Sequence, residues 1–354
     1  MSRFFSGRYL SLEPYTPGEQ PKDRRFIKLN TNESPFPPAE NGAGAIAAEY
    51  EKLMLYPDPT ASGLKELFAE VYQTETKNIA FSNGSDDLLN FSFMAFCDDE
   101  TGAAFPDITY GFYKVFAELN HIDHMEIPLK EDLTLDPDDY KKLGRTCFIA
   151  NPNAPTGIAL TPRRIEELVK ADPDHVVIVD EAYVDFGAES CIPLTKKYDN
   201  ILVIGTFSKS RSFAGARFGY AVGNEELIKD LNTLIYSTNP YNVNRLTMAA
   251  AAAVLKDGEY TRANCRKVME NRAFTVSELR RLGFTVTESL ANFVFARSPE
   301  ISGEDLYLKL KERGILVRHF SAERIKDYNR ITIGSMEDMQ ALIAAVSRIL
   351  SEEK

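Results

Sequence analysis

The chain has 354 residues, 44% of them hydrophobic and 26% charged, which is long enough for about two globular domains with a buried core. Its formal net charge of −11 argues against a nucleic-acid binder, because such proteins usually present a basic face. No apolar run is long enough to predict a membrane span, and the opening segment MSRFFSGRYLSLEPY lacks the apolar stretch of a secretory signal.

In chain order, residues 13–21 and 34–38 are rich in proline and predict an extended arm. Apolar residues from Leu64 to Val71 recur with helical spacing, and short apolar runs then alternate with helical patterns up to about residue 223, which indicates an α/β domain. The predicted strands are NIAFSN (78–83), GAAF (102–105), HMEIPL (124–129), CFIAN (147–151), HVVIVD (175–180), ILVIGTF (201–207) and FGYAVG (218–223). The last three runs are typical of a parallel sheet buried on both faces. The predicted helices between them are GSDDLLNFSFMAFC (84–97), TYGFYKVFAELN (109–120) and a helix that begins at Thr161-Pro162.

After residue 225 the pattern changes to long helices at 225–236, 244–257 and 259–282, the last closed by Gly283 at its C′ position. Short strands follow in FTVTES (284–289), NFVFAR (292–297) and RITIG (330–334). The last helix is predicted to bury the stripe Met336, Met339, Ile343, Val346 and Leu350. We therefore predict an N-terminal arm (1–40) that packs with the small domain, a large domain (41–244), and a small C-terminal α+β domain (245–354).

Cysteine and histidine residues do not have the spacing of a metal site. Cys97, Cys147, Cys191 and Cys265 are far apart in the sequence, and the four histidines form no HExxH motif. The cysteines are expected to be buried thiols in a reducing compartment. We predict no metal and a cytoplasmic location.

Polar residues collect where the apolar strands end, and ligands bind at the carboxyl ends of strands in open α/β sheets. The segment from Ser82 to Asp86, which includes Gly84 and Ser85, joins a strand to a helix, so it is either an anion site or an ordinary helix cap. Asp180 ends an apolar run and is expected to be buried. It either caps a helix or pairs with a cationic ligand, with Tyr183 near the same point.

Lys209 follows the strand ILVIGTF and is flanked by the hydroxyl residues Thr206, Ser208 and Ser210. Most lysines are solvated surface charges, but a lysine at a strand end among small side chains can act as a nucleophile. Arg217 follows the small residues 214–216, which leave its side chain room to reach an anion.

The order of these segments resembles the fold-type I aminotransferases that depend on pyridoxal 5′-phosphate (PLP). NPNAPTG (151–157) is followed by DEAY (180–183) and then by Ser208-Lys209 with a later arginine. More narrowly, the chain is similar to the histidinol-phosphate aminotransferase family in LEPYTPGE (12–19), LNTNESPFPP (29–38), YPDP (56–59), PDITYGFYK (106–114), DEAYVDF (180–186), PYNVN (240–244) and NRITIG (329–334). The resemblance implies the fold of that class: a large PLP-binding domain with a mostly parallel sheet flanked by helices, and a smaller α+β domain.

The resemblance also implies a cofactor site. Lys209 would hold PLP as the internal aldimine and then move the proton between Cα and C4′. Asp180 would pair with the ring nitrogen, and Tyr183 would hydrogen-bond the ring O3′. The other implied cofactor contacts are Tyr110 against the ring face, and Gly84, Ser85, Asp86, Thr206, Ser208 and Arg217 around the phosphate. Tyr56 would reach the phosphate of the partner subunit, which implies a homodimer with shared sites.

On the substrate side, the resemblance implies that Arg330 meets the substrate anion, with Arg318 as a second arginine of the pocket. That anion is the carboxylate of glutamate or the phosphate of histidinol phosphate. Tyr15 and Asn32 match residues of the arm that close over the substrate. The implied reaction is amino transfer between L-histidinol phosphate and 2-oxoglutarate, a step of histidine biosynthesis.

The chain departs from the family pattern at Ala154, where the usual residue is an asparagine that donates to O3′. We expect Tyr183 to carry the O3′ interaction with less help. Losing one donor to an anionic O3′ favours the protonated cofactor and raises the pKa of the internal aldimine.

Three alternatives share some of these features. The same scaffold supports transamination of aromatic amino acids, and it supports decarboxylation of threonine phosphate by a PLP-dependent lyase. A PLP-binding regulator is disfavoured, because such regulators usually carry an added DNA-binding module and this acidic chain has no residues to spare for one.

Overall fold

A computed structural model describes residues 2–21 and 25–352. Within these ranges the strands are β1 (Ile27–Lys28), β2 (Ile79–Ser82), β3 (Ala103–Pro106), β4 (His124–Ile127), β5 (Thr146–Ala150), β6 (Val177–Asp180), β7 (Ile201–Thr206), β8 (Gly219–Gly223), β9 (Thr285–Val286), β10 (Phe293–Arg297), β11 (Ile315–Leu316), β12 (Arg318–His319) and β13 (Tyr328–Thr332). The α-helices are α1 (Asn41–Tyr50), α2 (Ser62–Tyr72), α3 (Ser85–Phe96), α4 (Phe112–Asn120), α5 (Pro162–Ala171), α6 (Glu225–Thr238), α7 (Arg245–Lys256), α8 (Gly258–Arg281), α9 (Gly303–Glu312) and α10 (Met336–Glu352). In these ranges no helix combines the length and apolar character needed to cross a bilayer.

The large sheet has the strand order β2-β8-β7-β6-β5-β3-β4. Strands β7, β6, β5, β3 and β4 run parallel to one another, which confirms the predicted mostly parallel sheet. Strand β8 runs antiparallel to both β2 and β7, so the prediction that FGYAVG lies parallel was wrong. The reason is the connection 207–218, which contains no α-helix to carry the chain back across the sheet. Thr206 at the end of β7 instead pairs directly with Gly219 at the start of β8.

Both faces of the large sheet are buried, which explains the continuous apolar runs in its strands. Along β7, Ile201 and Val203 face one core cluster, while Leu202 and Ile204 face another, because successive side chains of a strand point to opposite faces. Helices α2, α5 and α7 cover the first face with apolar residues, and α3, α4 and α6 cover the second.

The small sheet has the order β12-β13-β10-β9, with antiparallel pairing. Helices α8, α9 and α10 pack against it in a core of its own. Gly283 lies just past the end of α8 with φ of +87°, as predicted for a C′ glycine. The stripe of α10 is buried except for Met336, which is 36% exposed because it is the first residue of the helix.

The N-terminal arm is attached to the small sheet side of the molecule. Strand β1 pairs in parallel with β11, and the Thr332 amide donates to the Leu29 carbonyl oxygen at 2.9 Å.

The division of the chain at residues 40 and 244 stays a prediction. Helix α7 packs on α1 and shares the core of the large sheet through Ala250, Ala251 and Val254, so we propose a boundary after α7, near residue 257.

The four cysteines are buried free thiols, as predicted. Burial raises the pKa of Cys97, Cys147 and Cys265 to about 12. The thiolate is the reactive form of cysteine, so these side chains are inert packing groups.

Candidate active site

A cavity of about 240 Å³ lies at the carboxyl ends of β5, β6 and β7, between the large sheet, the arm and the small sheet. This is the edge at which an open α/β sheet binds its ligands. The predicted site residues that line it are Tyr15, Asn32, Ser85, Asp86, Tyr110, Asp180, Tyr183, Thr206, Ser208, Lys209, Arg217, Arg318 and Arg330. Two predicted residues, Gly84 and Tyr56, do not line it.

Asp180 is the last residue of β6 and is 5% exposed. The Tyr113 hydroxyl donates to its Oδ2 and the Ala182 amide donates to its Oδ1, each at 3.1 Å. Burial raises the pKa of the Asp180 carboxyl to about 6, although these two donors oppose the shift. A cationic ligand group beside Asp180 would therefore stabilise its ionised form.

Lys209 lies in the turn that follows β7. Its Nζ is 3.4 Å from the Thr31 carbonyl oxygen of the arm and 5.8 Å from the centre of the Tyr183 ring. The Tyr183 hydroxyl oxygen accepts a hydrogen bond from Asn32 Nδ2 at 3.0 Å. The arm therefore closes the cavity over the amine and the phenol.

The opposite end of the cavity is built to hold an anion. Ser85 is the first residue of α3, where free backbone amides and the helix dipole attract negative charge. The Arg217 guanidinium lies across this helix end and contacts Asp86 Oδ2 at 3.1 Å and Ser208 Oγ at 3.5 Å. Gly84 stands directly behind it, since a Cβ at Gly84 would lie 2.3 Å from Arg217 Nη2. The glycine is thus needed for the placement of Arg217, although it does not line the cavity.

Tyr110 and Thr206 complete the wall near this anion site. The Tyr110 hydroxyl donates to Asp86 Oδ1 at 2.7 Å, and burial raises the pKa of this phenol well above its ordinary value, so it stays protonated. The Thr206 hydroxyl lies 2.9 Å from Ser208 Oγ, at the end of β7.

Arg330 and Arg318 lie side by side, because they pair in register between β13 and β12. Arg330 Nη2 donates to the Asn30 carbonyl oxygen at 3.2 Å, and Arg318 Nη2 donates to the Thr16 carbonyl oxygen at 3.3 Å. The Nε of Arg330 is buried and has no hydrogen-bond partner among the described residues. Burial lowers the pKa of this guanidinium. A buried donor without a partner is costly, so an anionic ligand would satisfy Arg330.

Tyr15 of the arm stacks on Phe112 with ring centres 4.2 Å apart and lines the cavity mouth. Tyr56 is 77% exposed and stacks on Tyr241 with ring centres 4.4 Å apart. A single chain therefore does not bring Tyr56 to its own cavity.

Sequence reasoning missed Tyr113 and Thr332. Tyr113 reaches Asp180 from α4, and no local pattern predicts that contact. Thr332 bonds to Asn32, and its signal was available, because it lies two residues after Arg330 on one strand and so shares its face.

These residues fit PLP. The buried carboxylate of Asp180 suits a protonated ring nitrogen, the N-terminus of α3 with Arg217 suits a phosphate, and Lys209 lines the same cavity. Because Gly84 has no side chain, the Arg217 guanidinium can lie beside the free amides of α3. The guanidinium and the amides can then bind the same phosphate.

Comparison with known proteins agrees with this geometry. The chain matches the family described as aminotransferase class I and II over residues 24–346. It is 49% identical over 352 residues to the histidinol-phosphate aminotransferase of Brachyspira hyodysenteriae, covering 99% of each chain. It is 48% identical over 353 residues to that of a Marinomonas species, covering 99% of this chain and 100% of the relative.

The fold is that of histidinol-phosphate aminotransferase from Sinorhizobium meliloti, solved in complex with pyridoxal-5′-phosphate. The TM-score is 0.86 at 22% identity, covering 94% of this chain and 93% of that one. The chain is a PLP-dependent transferase that belongs to the class I and II aminotransferases and, within them, to the histidinol-phosphate aminotransferase family.

Proposed function

We propose that this protein transfers the amino group between L-histidinol phosphate and 2-oxoglutarate, as a step of histidine biosynthesis. The observation that carries the proposal is the pair Arg330 and Arg318, which lie in the same cavity as Lys209 and Asp180. Neither guanidinium forms an ion pair with a carboxylate among the described residues, so both are available to a doubly anionic substrate. The identity of 49% to a relative of that name supports the choice of substrate.

The residues of the large sheet bind the cofactor in this proposal. Bound PLP supplies an electron-withdrawing ring that delocalises negative charge from the amine-bearing carbon of the substrate. Asp180 ionises against the protonated ring nitrogen and keeps that nitrogen charged, and Tyr183 donates to O3′. Arg217, Ser208 and the amides at the start of α3 bind the phosphate with charge-assisted hydrogen bonds.

The substrate is bound by groups of the arm and the small sheet. Arg330 binds the substrate anion through its unpartnered Nε, which donates to an oxygen of either a phosphate or a carboxylate. Lys209 lines the same cavity as Arg330, so with the anion fixed at Arg330 the Lys209 Nζ would remove the proton from the amine-bearing carbon and hold it for its return. Tyr15, stacked on Phe112, limits the access of water.

We propose further that two copies of the chain form a homodimer with shared sites. Tyr56 is exposed together with the neighbouring apolar side chains Leu53, Met54 and Leu55, and such patches mark contact surfaces. If a second copy binds at this patch, Tyr56 of each chain would lie near the phosphate end of the other chain's cavity. The buried free cysteines support a reducing compartment, for which we propose the cytoplasm.

The test is an assay of glutamate from purified protein, PLP, 2-oxoglutarate and one amino donor at a time. We expect histidinol phosphate to be used with kcat/KM at least about a hundredfold above phenylalanine, which is a difference of about 3 kcal/mol in transition-state binding. The Lys209→Ala variant is the control and should form no glutamate.

Two outcomes would contradict the proposed substrate. A strong preference for phenylalanine would assign the protein to aromatic transamination. Release of carbon dioxide from threonine phosphate without glutamate formation would assign it to the lyases.

A further inference from the structure

Behind the Tyr183 hydroxyl lie two buried polar side chains that the proposed reaction leaves without a role in the chemistry. Asn32, on the arm, is 1% exposed, and Thr332, on β13, is 2% exposed. Asn32 Nδ2 lies 3.0 Å from Tyr183 Oη, and Thr332 Oγ1 lies 3.0 Å from Asn32 Oδ1. These contacts form a continuous chain of hydrogen bonds that ends at the phenol.

The direction of every hydrogen in this chain follows from counting donors. The backbone amide of Asn32 donates to Thr332 Oγ1 at 2.9 Å, so the threonine oxygen already acts as an acceptor. Its single hydroxyl hydrogen is then donated to the oxygen end of the Asn32 carboxamide. That contact fixes the orientation of the amide and turns its NH₂ group toward Tyr183.

An amide nitrogen can only donate, so Tyr183 Oη is the acceptor of this bond. The Tyr183 hydroxyl therefore cannot donate its own hydrogen to Asn32, and that hydrogen is directed elsewhere. The Tyr183 side chain lines the active-site cavity, so the cavity is the open side toward which this hydrogen can be donated.

Asn32 is held firmly enough to act in this way. Its backbone is in the left-handed region with φ of 56°, and its carbonyl oxygen accepts from Asn292 Nδ2 at 3.0 Å. The neighbouring arm residues are fixed to the same strand, since Leu29 O accepts from the Thr332 amide and Asn30 O accepts from Arg330. The carboxamide therefore cannot drift away from β13.

The direction of the Tyr183 hydrogen matters more in this chain than in relatives with an asparagine before PTG. Ala154 is buried, lines the same cavity and has no side-chain donor. The other titratable side chains that line this cavity are Glu33, Asp86, Asp180, Lys209, Arg217, Arg318, Arg330, Tyr15 and Tyr110. The Lys209 Nζ lies 5.8 Å from the centre of the Tyr183 ring. Tyr183 is thus the side chain on which donation to O3′ depends in our proposal.

We propose that Thr332 is a positioning residue, which acts through the Asn32 carboxamide to aim the Tyr183 hydroxyl hydrogen at O3′ of PLP. The inference rests on the proposed cofactor contact of Tyr183 and is independent of which amino donor the enzyme uses. Substrate-free protein with bound PLP is therefore the sample to test.

The experiment is a pH titration of the visible absorption of the PLP-loaded protein. Thr332→Val removes the hydroxyl and keeps the shape, so the Asn32 amide can turn over and take up the Tyr183 hydrogen. We expect the titration midpoint to rise by about one pH unit, because an anionic O3′ that loses a donor favours the protonated cofactor. Thr332→Ser keeps the hydroxyl and should titrate like the wild type.

The same titration in a Tyr183→Phe background tests whether Thr332 acts on the cofactor through the Tyr183 hydroxyl. There, Thr332→Val should add no further shift, because the group it orients is gone. Should the valine protein not fold, Thr332→Ala removes the same hydroxyl with less bulk, and melting temperatures of all variants report their stability.

Three results would overturn the inference. An unchanged midpoint in folded Thr332→Val is one, and an equal shift with and without Tyr183 is another. A wild type that shows no absorption band dependent on Lys209 would overturn both this inference and the proposed cofactor contacts. A failure to use histidinol phosphate would instead leave the titration unaffected, so the two proposals fail separately.

Discussion

Gly84 and the Arg217 guanidinium occupy adjoining space, so that a Cβ on residue 84 would lie 2.3 Å from Nη2 and 2.9 Å from Cζ of the arginine. The backbone of Gly84 also has φ of +92°, which side chains rarely tolerate. Glycine is therefore required at the position before α3 if Arg217 is to stay at the helix end.

Gly84→Ala should displace Arg217 and weaken PLP binding by tenfold or more, about 1.4 kcal/mol, because one charge-assisted contact to the phosphate is lost. The measurement is the dissociation constant of PLP by absorption or fluorescence. Gly215→Ala is the matched control, since a Cβ there meets no atom within 4 Å. Equal affinities for the two variants would contradict the assigned role of Gly84.

Asp180→Asn should make the cofactor-free protein more stable at neutral pH. Because burial raises the pKa of Asp180 from 3.8 to about 6, the folded protein binds more protons than the unfolded chain between these values. The stability contributed by this group is fully present below 3.8 and is lost as the pH rises through about 6. The advantage of the variant in free energy of unfolding should therefore grow by about 1 kcal/mol from about pH 5 to about pH 8.

Urea unfolding of both cofactor-free proteins at the two pH values measures this change. The Asn side chain can still accept from the Ala182 amide, and its Nδ2 can donate to the Tyr113 hydroxyl oxygen, so both contacts of residue 180 can be kept while its charge is removed. With PLP bound the order should reverse, because the variant lacks the anion that holds the ring nitrogen protonated. A pH-independent difference would show that Asp180 is not buried as a costly carboxylate.

Arg330→Gln should lower kcat/KM for histidinol phosphate by about 30- to 160-fold, which corresponds to about 2–3 kcal/mol for a charged hydrogen bond. KM for 2-oxoglutarate should rise in parallel, because both substrates present an anion to the same guanidinium. Arg281→Gln, at an exposed ion pair with Glu278, is the control and should stay within about twofold of the wild type. A loss confined to one substrate would show that Arg318 and Arg330 divide the two anions between them.

Ala154→Asn should restore a donor to O3′ and lower the pH midpoint of the cofactor absorption by about one unit. Ala154 lines the cavity, so the new carboxamide faces the ligand. Ala154→Leu has similar volume without a donor and serves as the control for crowding. A midpoint that stays unchanged or rises in the asparagine variant would show that the departure at Ala154 has no electronic effect.

Mixed dimers test the proposed shared site. Lys209→Ala subunits are expected to be inactive alone and Tyr56→Ala subunits weakly active. Together they should form heterodimers with one intact cavity and recover up to about half of the wild-type rate per dimer. Tyr56 is exposed in the single chain and does not line its own cavity, so in the proposed dimer it would act on the cavity of the partner subunit. Heterodimers that are no more active than the mean of the two homodimers would place Tyr56 outside the neighbouring site.

Much of the large sheet could be predicted from the sequence, because apolar runs such as ILVIGTF report burial on both faces. The same runs carry no information on direction, which is why the antiparallel course of β8 was missed. Its direction depends on the length and content of the connection 207–218 and on pairing with β2, a strand far away in the sequence.

The candidate site divides in the same way. Asp180 ends one predicted strand and Lys209 lies two residues after another, so their meeting at one sheet edge could be expected from the topology. The contacts of Tyr113 with Asp180 and of Thr332 with Asn32 depend on packing between distant elements. The roles assigned to these residues stay predictions until the variants are measured.

The contact between Asn32 and Thr332 joins residues 300 positions apart. A loop of this length is slow to close in a folding chain, because the chain must lose conformational entropy before the contact can stabilise it. All strands of the large sheet lie between residues 79 and 223, so the sheet does not need β13 to form, but the cavity gains its arm wall only after β13 is in place. Uptake of PLP should therefore be a late event in folding, so its visible absorption would follow the last step of assembly rather than the first collapse.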